Sequence, residues 1–530
     1  MPTDCISYQQ SGYFSKLITD YLEQKAELES LYNHFPTSEN FKLQIAEKQN
    51  SFPQVNRSTL VNAVAKQYED CKTSEATNAN IQKLEHSNTF TITTGHQLNL
   101  FTGPLYFVYK ITSTINLCHQ LKKDYPHCDF VPVYWMATED HDFEEINFFQ
   151  YKNTKIKWDV ESKGPVGRLS TNGLDIVYEA FANVLGNSIN ATYLKELFQK
   201  SYLQHPSLAA ATRFLVNELF GNQGLVILDG DDSSLKRLFI PYIKKELINQ
   251  TSYKNVTTTN EHLKVNYPIQ VNPREINLFY IEDSLRERIV QKDNHFAINN
   301  TSISYTPEEL LALLETNPEK FSPNVILRPL YQEVILPNLA YIGGGGELAY
   351  WLQLKSNFEA NAIPFPMLVL RNSVLIASEK QSQKAAKLEL SWADLFCNQQ
   401  DLFNLKTKEF SKFTIDFTPQ KESLRQQFIA LKEIAQQTDP SFLGAVNAQE
   451  KKQTNGLETL EKRLLKAEKR VHKDHLERII NLQNELFPGQ SLQERKANFS
   501  QFYMEYGPEI FQHLTANLNP LEADFKIITL

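Results

Sequence analysis

Residues 139–142 read Glu-Asp-His-Asp, four ionisable groups set directly behind the apolar run FVPVYWMAT. Carboxylates at the end of a buried strand could hold an ammonium or a divalent cation. They could also tune His141 as a general base, with Glu139, Asp140 and Asp142 around it. The acidic first turn of a helix would use the same residue types, because the macrodipole favours negative charge there. Three acids with a histidine exceed what capping needs, which points to catalysis. Adjacent positions cannot aim all four side chains at one ion, so no metal site is expected.

Three other groups have residue types suited to binding. Gly95, His96, Gln97, Asn99, Thr102 and Gly103 fall in TGHQLNLFTGP, between the β-branched run FTITT and a helix pattern entered at Pro104. Glycines let a backbone approach a ligand closely, and free N–H groups at a helix start favour an anion. An ordinary strand-to-helix turn with a capping histidine fits the same residues. Neither the phosphate-loop GxxxxGK[ST] nor the dinucleotide GxGxxG occurs here.

Gly343, Gly344, Gly345 and Gly346 precede Glu347, with apolar AYI before them and LAYW after. Four consecutive glycines cost backbone entropy, and apolar structure on both sides argues against a linker. Their expected use is a nest of N–H groups for a phosphate or carboxylate, reinforced by the helix starting near Glu347. The last group is dispersed: Asp229, Asp231 and Asp232 after LVIL, Arg328 and Tyr331 in LRPLYQ, Arg371 and Asn372 after MLVL. Arginines could clamp a carboxylate or phosphate, although each alone also fits a surface ion pair.

These groups must be positioned by strands and helices, and the patterning names them. Strand FTITT, a helix from about Leu105 to Lys123 and strand FVPVYWMAT make one βαβ unit. Helix LAAATRFLVNELFG, strand LVILDGDD and helix SSLKRLFIPYIKKELI make a second, and the α/β texture returns through LRPLYQEVILPNLAYI, ELAYWLQLKSNF and PFPMLVLRNSVLI. Short apolar strands alternating with amphipathic helices predict a parallel sheet covered on both faces, with ligands beyond the carboxyl ends of its strands. Residues 1–86 read as a helical N-terminal elaboration and 87–378 as the α/β core, with insertions at about 151–185 and 252–320.

Residues 379–490 read as a helical coiled-coil region, and 491–530 as a C-terminal segment packing on the core. Leu424, Phe428, Leu431 and Ala435, then Leu457, Leu460, Leu464, Ala467 and Val471, recur at spacings of three and four. Pro440 and Gly444 are expected to break the two runs into an antiparallel hairpin.

The chain of 530 residues carries 54 Lys or Arg against 62 Asp or Glu, a net charge of −8. That balance lacks the footprint of a nucleic-acid binder and favours small-molecule partners. No secretion signal and no bilayer-length apolar run is found, so a soluble cytoplasmic protein is expected. Five cysteines, scattered without a CxxC pair, suggest neither a disulfide framework nor a thiolate zinc site. Cys118, inside an apolar helix face, reads as core.

Several stretches together resemble one family. TGHQLNLFTGPLYFVYK, WMATEDHDFEEIN, GPVGRL, GLVILDGDD, NVILRPLYQEVILPNLAYIGGGGELAYWLQLK and LFPGQSLQER occur in the order seen in the bacillithiol synthase (BshC) family of cysteine ligases. The resemblance implies a Rossmann-like core related to class I aminoacyl-tRNA synthetases, interrupted by connective-peptide insertions, and a coiled coil forming a homodimer. It also implies the last step of bacillithiol synthesis, joining cysteine to the amine of glucosaminyl-malate. ATP is the obvious means of activating a carboxylate, but the HxGH and KMSKS signatures of true class I synthetases are absent. Kinship of fold therefore does not bring adenylate chemistry with it, and no cofactor is assigned. A nucleotidyltransferase or metal-assisted hydrolase on the same fold is the alternative.

Overall fold

The computed structural model describes residues 3–530. At its centre are five parallel strands: β1 (Thr89–His96), β2 (Asp129–Met136), β3 (Val226–Asp229), β4 (Asn338–Gly343) and β5 (Met367–Leu370). Their spatial order is 5-4-1-2-3, so successive strands step one way from β1 to β3 and then cross to the other side for β4 and β5. The order reverses between β1 and β4, and in open parallel sheets that switch point is where ligands bind.

The strands are buried along nearly their whole length, which explains their continuous apolar character. β1 also buries threonines: the hydroxyls of Thr91 and Thr93 both donate to Oδ1 of Asn338 in β4, and that of Thr94 donates to the Ile342 carbonyl. Helix α1 (Tyr106–Asp124) returns from β1 to β2. Its Leu117, Cys118 and Leu121 join Phe90, Ile92, Ile342 and Val369 in one apolar cluster, so Cys118 is a core residue. Helices α2 (Leu208–Phe220) and α3 (Ser233–Asn249) flank β3, and α4 (Arg328–Ile335) leads into β4.

Two long patterns are divided in space. The stretch ELAYWLQLKSNF forms α5 (Gly345–Trp351) and a separate helix, Lys355–Ala360. The stretch PFPMLVLRNSVLI bends at Arg371–Ser373. Its first half is β5, whereas Val374–Ala377 belongs to a smaller sheet with Asp524–Thr529 and Thr3–Ser7. The bend is held by Arg371, whose guanidinium meets Glu494 at 2.6 Å in a buried ion pair.

Between β3 and β4 the chain builds an antiparallel five-stranded sheet from residues 278–323. Beyond the core, α6 (Thr418–Ala435) and α7 (Pro440–Val471) form an antiparallel hairpin in which Phe428, Ala435 and Val446 pack together. The break lies at residues 436–439. Asp439 caps α7 by accepting the N–H of Ser441, and Gly444 lies inside the helix rather than ending it. In the second apolar run Leu460 is 53% and Val471 72% exposed, whereas Leu457, Leu464 and Ala467 are half-buried. Among the described residues, no helix is long and apolar enough to cross a membrane.

Candidate active site

A cavity of about 820 Å³ opens at the carboxyl ends of β1, β2 and β4. Its wall carries seven Lys or Arg side chains and four Asp or Glu. The basic excess favours an anionic ligand, while the acids leave one side suited to an ammonium.

The inner wall lies at the switch point. Lys110, the one charge on the buried face of α1, donates to the Gly95 carbonyl at 2.7 Å and meets Glu347 at 2.5 Å. Glu347 also accepts from the Tyr341 hydroxyl and from the Gly344 N–H, at 2.7 and 2.9 Å. Burial pushes the Glu347 carboxyl up, but Lys110 and these donors outweigh it and hold the group below the usual range. Burial conversely draws the Lys110 ammonium down, against the pull of Glu347.

The glycine row therefore differs from the expected nest. Gly343 ends β4, and none of Gly343–Gly346 has the positive φ of a nest. The Gly344 N–H is consumed by Glu347, and α5 begins at Gly345 and runs for only seven residues. Gly344, Gly345 and Gly346 nonetheless line the cavity, and a Cβ on Gly346 would meet nothing within 4 Å. Their smallness keeps the wall recessed.

His96 also lines the cavity, its ring packed 5.1 Å from Phe107 and 5.4 Å from Tyr106. Burial, with Lys110 and Arg371 nearby, holds its pKa well below the ordinary value, so it is neutral, and its Nε2 has no hydrogen-bond partner. Arg371 lines the same wall but is engaged by Glu494, the Asn372 carbonyl and the Ser373 hydroxyl. Arg328 is less committed: Nη1 donates to Gln332 at 3.1 Å, whereas Nη2 is buried without a hydrogen bond.

The acidic wall follows β2. Gln97 donates to Asp140 and Glu145 at 2.9 and 3.0 Å, tying the β1 turn to the β2 turn. Asp140 also accepts the His141 N–H, and Arg286 of the inserted sheet stands 3.9 Å away. Glu139 is locked to Lys236 at 2.7 Å, and Lys236 in turn to Asp231 at 2.9 Å; Arg168 grips Asp231 with two hydrogen bonds. Burial raises the Glu139 carboxyl against the pull of Lys236. The segment GPVGRL thus serves as a brace: besides Arg168, its Val166 and Gly167 N–H groups donate to the carbonyls of Asp140 and Thr138.

Several expected site residues do not reach the cavity. His141 and Asp142 turn outward into a separate shallow depression, where Nδ1 of His141 lies 2.7 Å from Arg286. Asn99, Thr102 and Gly103 shape a strained turn in which Phe101, Thr102 and Gly103 all have positive φ. Asn498 holds that turn by donating to the carbonyls of Phe101 and Gly103 at 2.8 and 2.7 Å. A Cβ on Gly103 would lie 2.5 Å from that of Asn99, so this position admits only glycine. Asp229, half-buried and outside the cavity lining, accepts from Thr138 and the Asp231 N–H, and desolvation with Asp231 alongside raises its pKa. Tyr331 donates to the Gly230 carbonyl and props the Trp135 ring edge-on at 5.5 Å.

Sequence reasoning missed Lys110, Arg274 just ahead of the inserted sheet, Arg286 and Arg288 within it, and Arg495 near the C-terminus, all of which line the cavity. Lys110 carried a legible signal, a lone charge on a buried helix face. The others come from segments whose approach to the site is a matter of tertiary folding.

Among the described residues, no three His, Cys, Asp or Glu side chains converge as a metal site would require. The sheet order, with a basic cavity at its reversal, and the helical hairpin define a Rossmann-like protein with an appended coiled coil. Family models agree in both parts. "Bacillithiol biosynthesis BshC, N-terminal Rossmann-like domain" matches residues 1–372, and "Bacillithiol biosynthesis BshC, C-terminal coiled-coil domain" matches 374–530. The chain belongs to the BshC family. A Flavobacterium johnsoniae relative is 62% identical over 530 residues, covering 100% of both chains. One from Christiangramia forsetii is 54% identical over 534 residues, covering 100% of this chain and 99% of its own. One from Bacillus thuringiensis is 28% identical over 527 residues, covering 96% of each. All three bear the name "Putative cysteine ligase BshC".

Proposed function

We propose that this protein is a ligase that joins L-cysteine to the amine of glucosaminyl-malate, forming the amide of bacillithiol. The observation that carries the reading is the cavity at the β1–β4 switch point, cationic on its inner wall and acidic beside β2. Both substrates bear carboxylates, which the basic wall suits, and both bear amines, which Asp140 and its neighbours suit. The name of the relatives, "Putative cysteine ligase BshC", supports a ligase acting on cysteine.

Amide formation requires the sugar amine, as a free base, to attack the cysteine carboxyl carbon, whose oxygen leaves with an activating group. Asp140 is a carboxylate with an open side on the cavity, beside Glu145. It orients the ammonium and takes its proton, whereas Glu139, neutralised by Lys236, fixes the shape of the wall. His141 acts from outside the cavity, by holding Arg286. ATP is the activator to supply. Two copies associate through the open seam of α7, because an apolar stripe left 53% exposed at Leu460 and 72% at Val471 is stabilised by a partner. Purified protein incubated with cysteine, glucosaminyl-malate, ATP and magnesium, followed by mass spectrometry, tests the reaction.

A further inference from the structure

Arg328 is the first residue of α4, and its guanidinium enters the cavity floor among three aromatic rings. Its carbon lies 5.8 Å from the centre of the Trp135 ring, 5.6 Å from Tyr341 and 5.9 Å from Trp351. These π faces hold the cation in place without using its N–H donors. Gln332 takes one hydrogen bond from Nη1 and the Tyr350 side chain also engages the guanidinium, while Nη2 itself is buried without an acceptor. A buried guanidinium donor without an acceptor is costly, and a charged acceptor from a ligand removes that cost.

The opposite strand clears the approach. A Cβ on Gly95 would stand 3.8 Å from Nη1 of Arg328 and 3.1 Å from the Tyr341 hydroxyl. Gly95 has no positive φ, so its smallness, not its backbone freedom, is what the position uses. The other two buried cations of the inner wall each have a carboxylate partner, Lys110 in Glu347 and Arg371 in Glu494, although the Arg371 Nε is unpaired.

We infer that Arg328 is the carboxylate-binding residue of this cavity, gripping one carboxylate of a substrate through the space left open by Gly95. The inference rests on the ligase reading for the identity of the substrates, and it selects the arginine that holds one of their carboxylates. A carboxylate suits the site better than a phosphate. The planar guanidinium, with Nη2 unpaired, matches the coplanar oxygens of a carboxylate. The Glu347 carboxylate nearby, which supports the Arg328 charge, would repel a dianion. The carboxylate can come from the malate moiety or from cysteine, and Arg328 recognises the chemistry common to both.

Calorimetry on the full chain with L-malate, L-cysteine and inorganic phosphate as separate probes tests this, with melting temperature as the check on folding. Arg328→Gln should weaken binding of malate or cysteine by about 10- to 100-fold, the range for losing a charged hydrogen-bonded pair. Arg328→Lys keeps the charge without the fork and should recover only part of the loss. Gly95→Ala, which leaves the guanidinium untouched, should weaken the same probe. Loss of malate binding alone assigns the malate moiety, and loss of cysteine binding alone assigns cysteine; either supports the inference. Unchanged affinity for both probes in folded Arg328→Gln and Gly95→Ala overturns it, as does a wild type that binds neither. An effect confined to phosphate overturns it too. The wild-type amide assay is scored separately, so a failed clamp with an intact ligase and a failed ligase reading give different results.

Discussion

Removing the charge of Glu494 should loosen the C-terminal segment from the core, and the size of the effect follows from its surroundings. Glu494 is 1% exposed and meets Arg371, itself 4% exposed, at 2.6 Å. It also accepts the Val374 N–H and the Ser373 hydroxyl, at 3.2 and 3.3 Å. Glu494→Ala would leave Arg371 as an uncompensated buried charge, a change that costs about 3–5 kcal/mol. With about 2.1 cal/mol/K of unfolding entropy per residue, the 372-residue Rossmann-like part has about 0.8 kcal/mol/K. The midpoint should then fall by about 4–6 °C, read by calorimetric or fluorescence melting. Arg371→Met combined with Glu494→Ala removes both charges and should recover part of that loss, since the dominant penalty is the unpaired charge. A single-variant shift under about 1 °C, or a double variant whose shift equals the sum of the singles, would refute the reasoning.

Other outcomes test other parts of the account. Asp140→Asn should slow amide formation by about a hundredfold or more, the lower end for loss of a general base, with an unchanged melting temperature. His141→Asn should cost markedly less, and equal losses would return His141 to the reaction. Leu460→Glu with Leu464→Glu should convert the proposed dimer to a folded monomer by light scattering, and a monomeric wild type at micromolar concentration would remove the association. His96, held neutral by burial, keeps its proton off in the folded state while an unfolded histidine binds one below about pH 6.5. Its contribution is thus fully present above that pH and is lost as pH falls, by up to about 1.4 kcal/mol per pH unit. His119 is shifted the same way, so His96→Gln should reduce this acid sensitivity without abolishing it. An identical pH–stability profile for the variant would contradict the burial of His96 as a neutral group.

Parallel-sheet texture was legible because buried strands such as FTITT and FVPVYWMAT are short, β-branched or apolar, and separated by amphipathic helices. The same local signals could not show that PFPMLVLRNSVLI serves two sheets, since the bend depends on Glu494, 123 residues from Arg371. Glycine runs are ambiguous in a related way. Four glycines suggest a nest, but whether their N–H groups are free depends on where Glu347 turns, and it turns back onto Gly344. The cluster Glu139–Asp142 was visible as chemistry, yet adjacent residues at a turn point in different directions, so Glu139 and Asp140 face the cavity while His141 and Asp142 face away. Arg286 could not be anticipated because it arrives from the inserted sheet, whose docking onto the core no local pattern encodes.

Amide formation tests the central claim most directly. Purified full-length protein, supplied with L-cysteine, glucosaminyl-malate, ATP and magnesium, should yield a single product containing both substrates joined at the sugar nitrogen, identified by mass and fragmentation. Isotope-labelled cysteine should appear in that product, and Asp140→Asn should reduce its rate of appearance. Absence of the amide, with no restoration by an extract of cells lacking this protein, would contradict the ligase account.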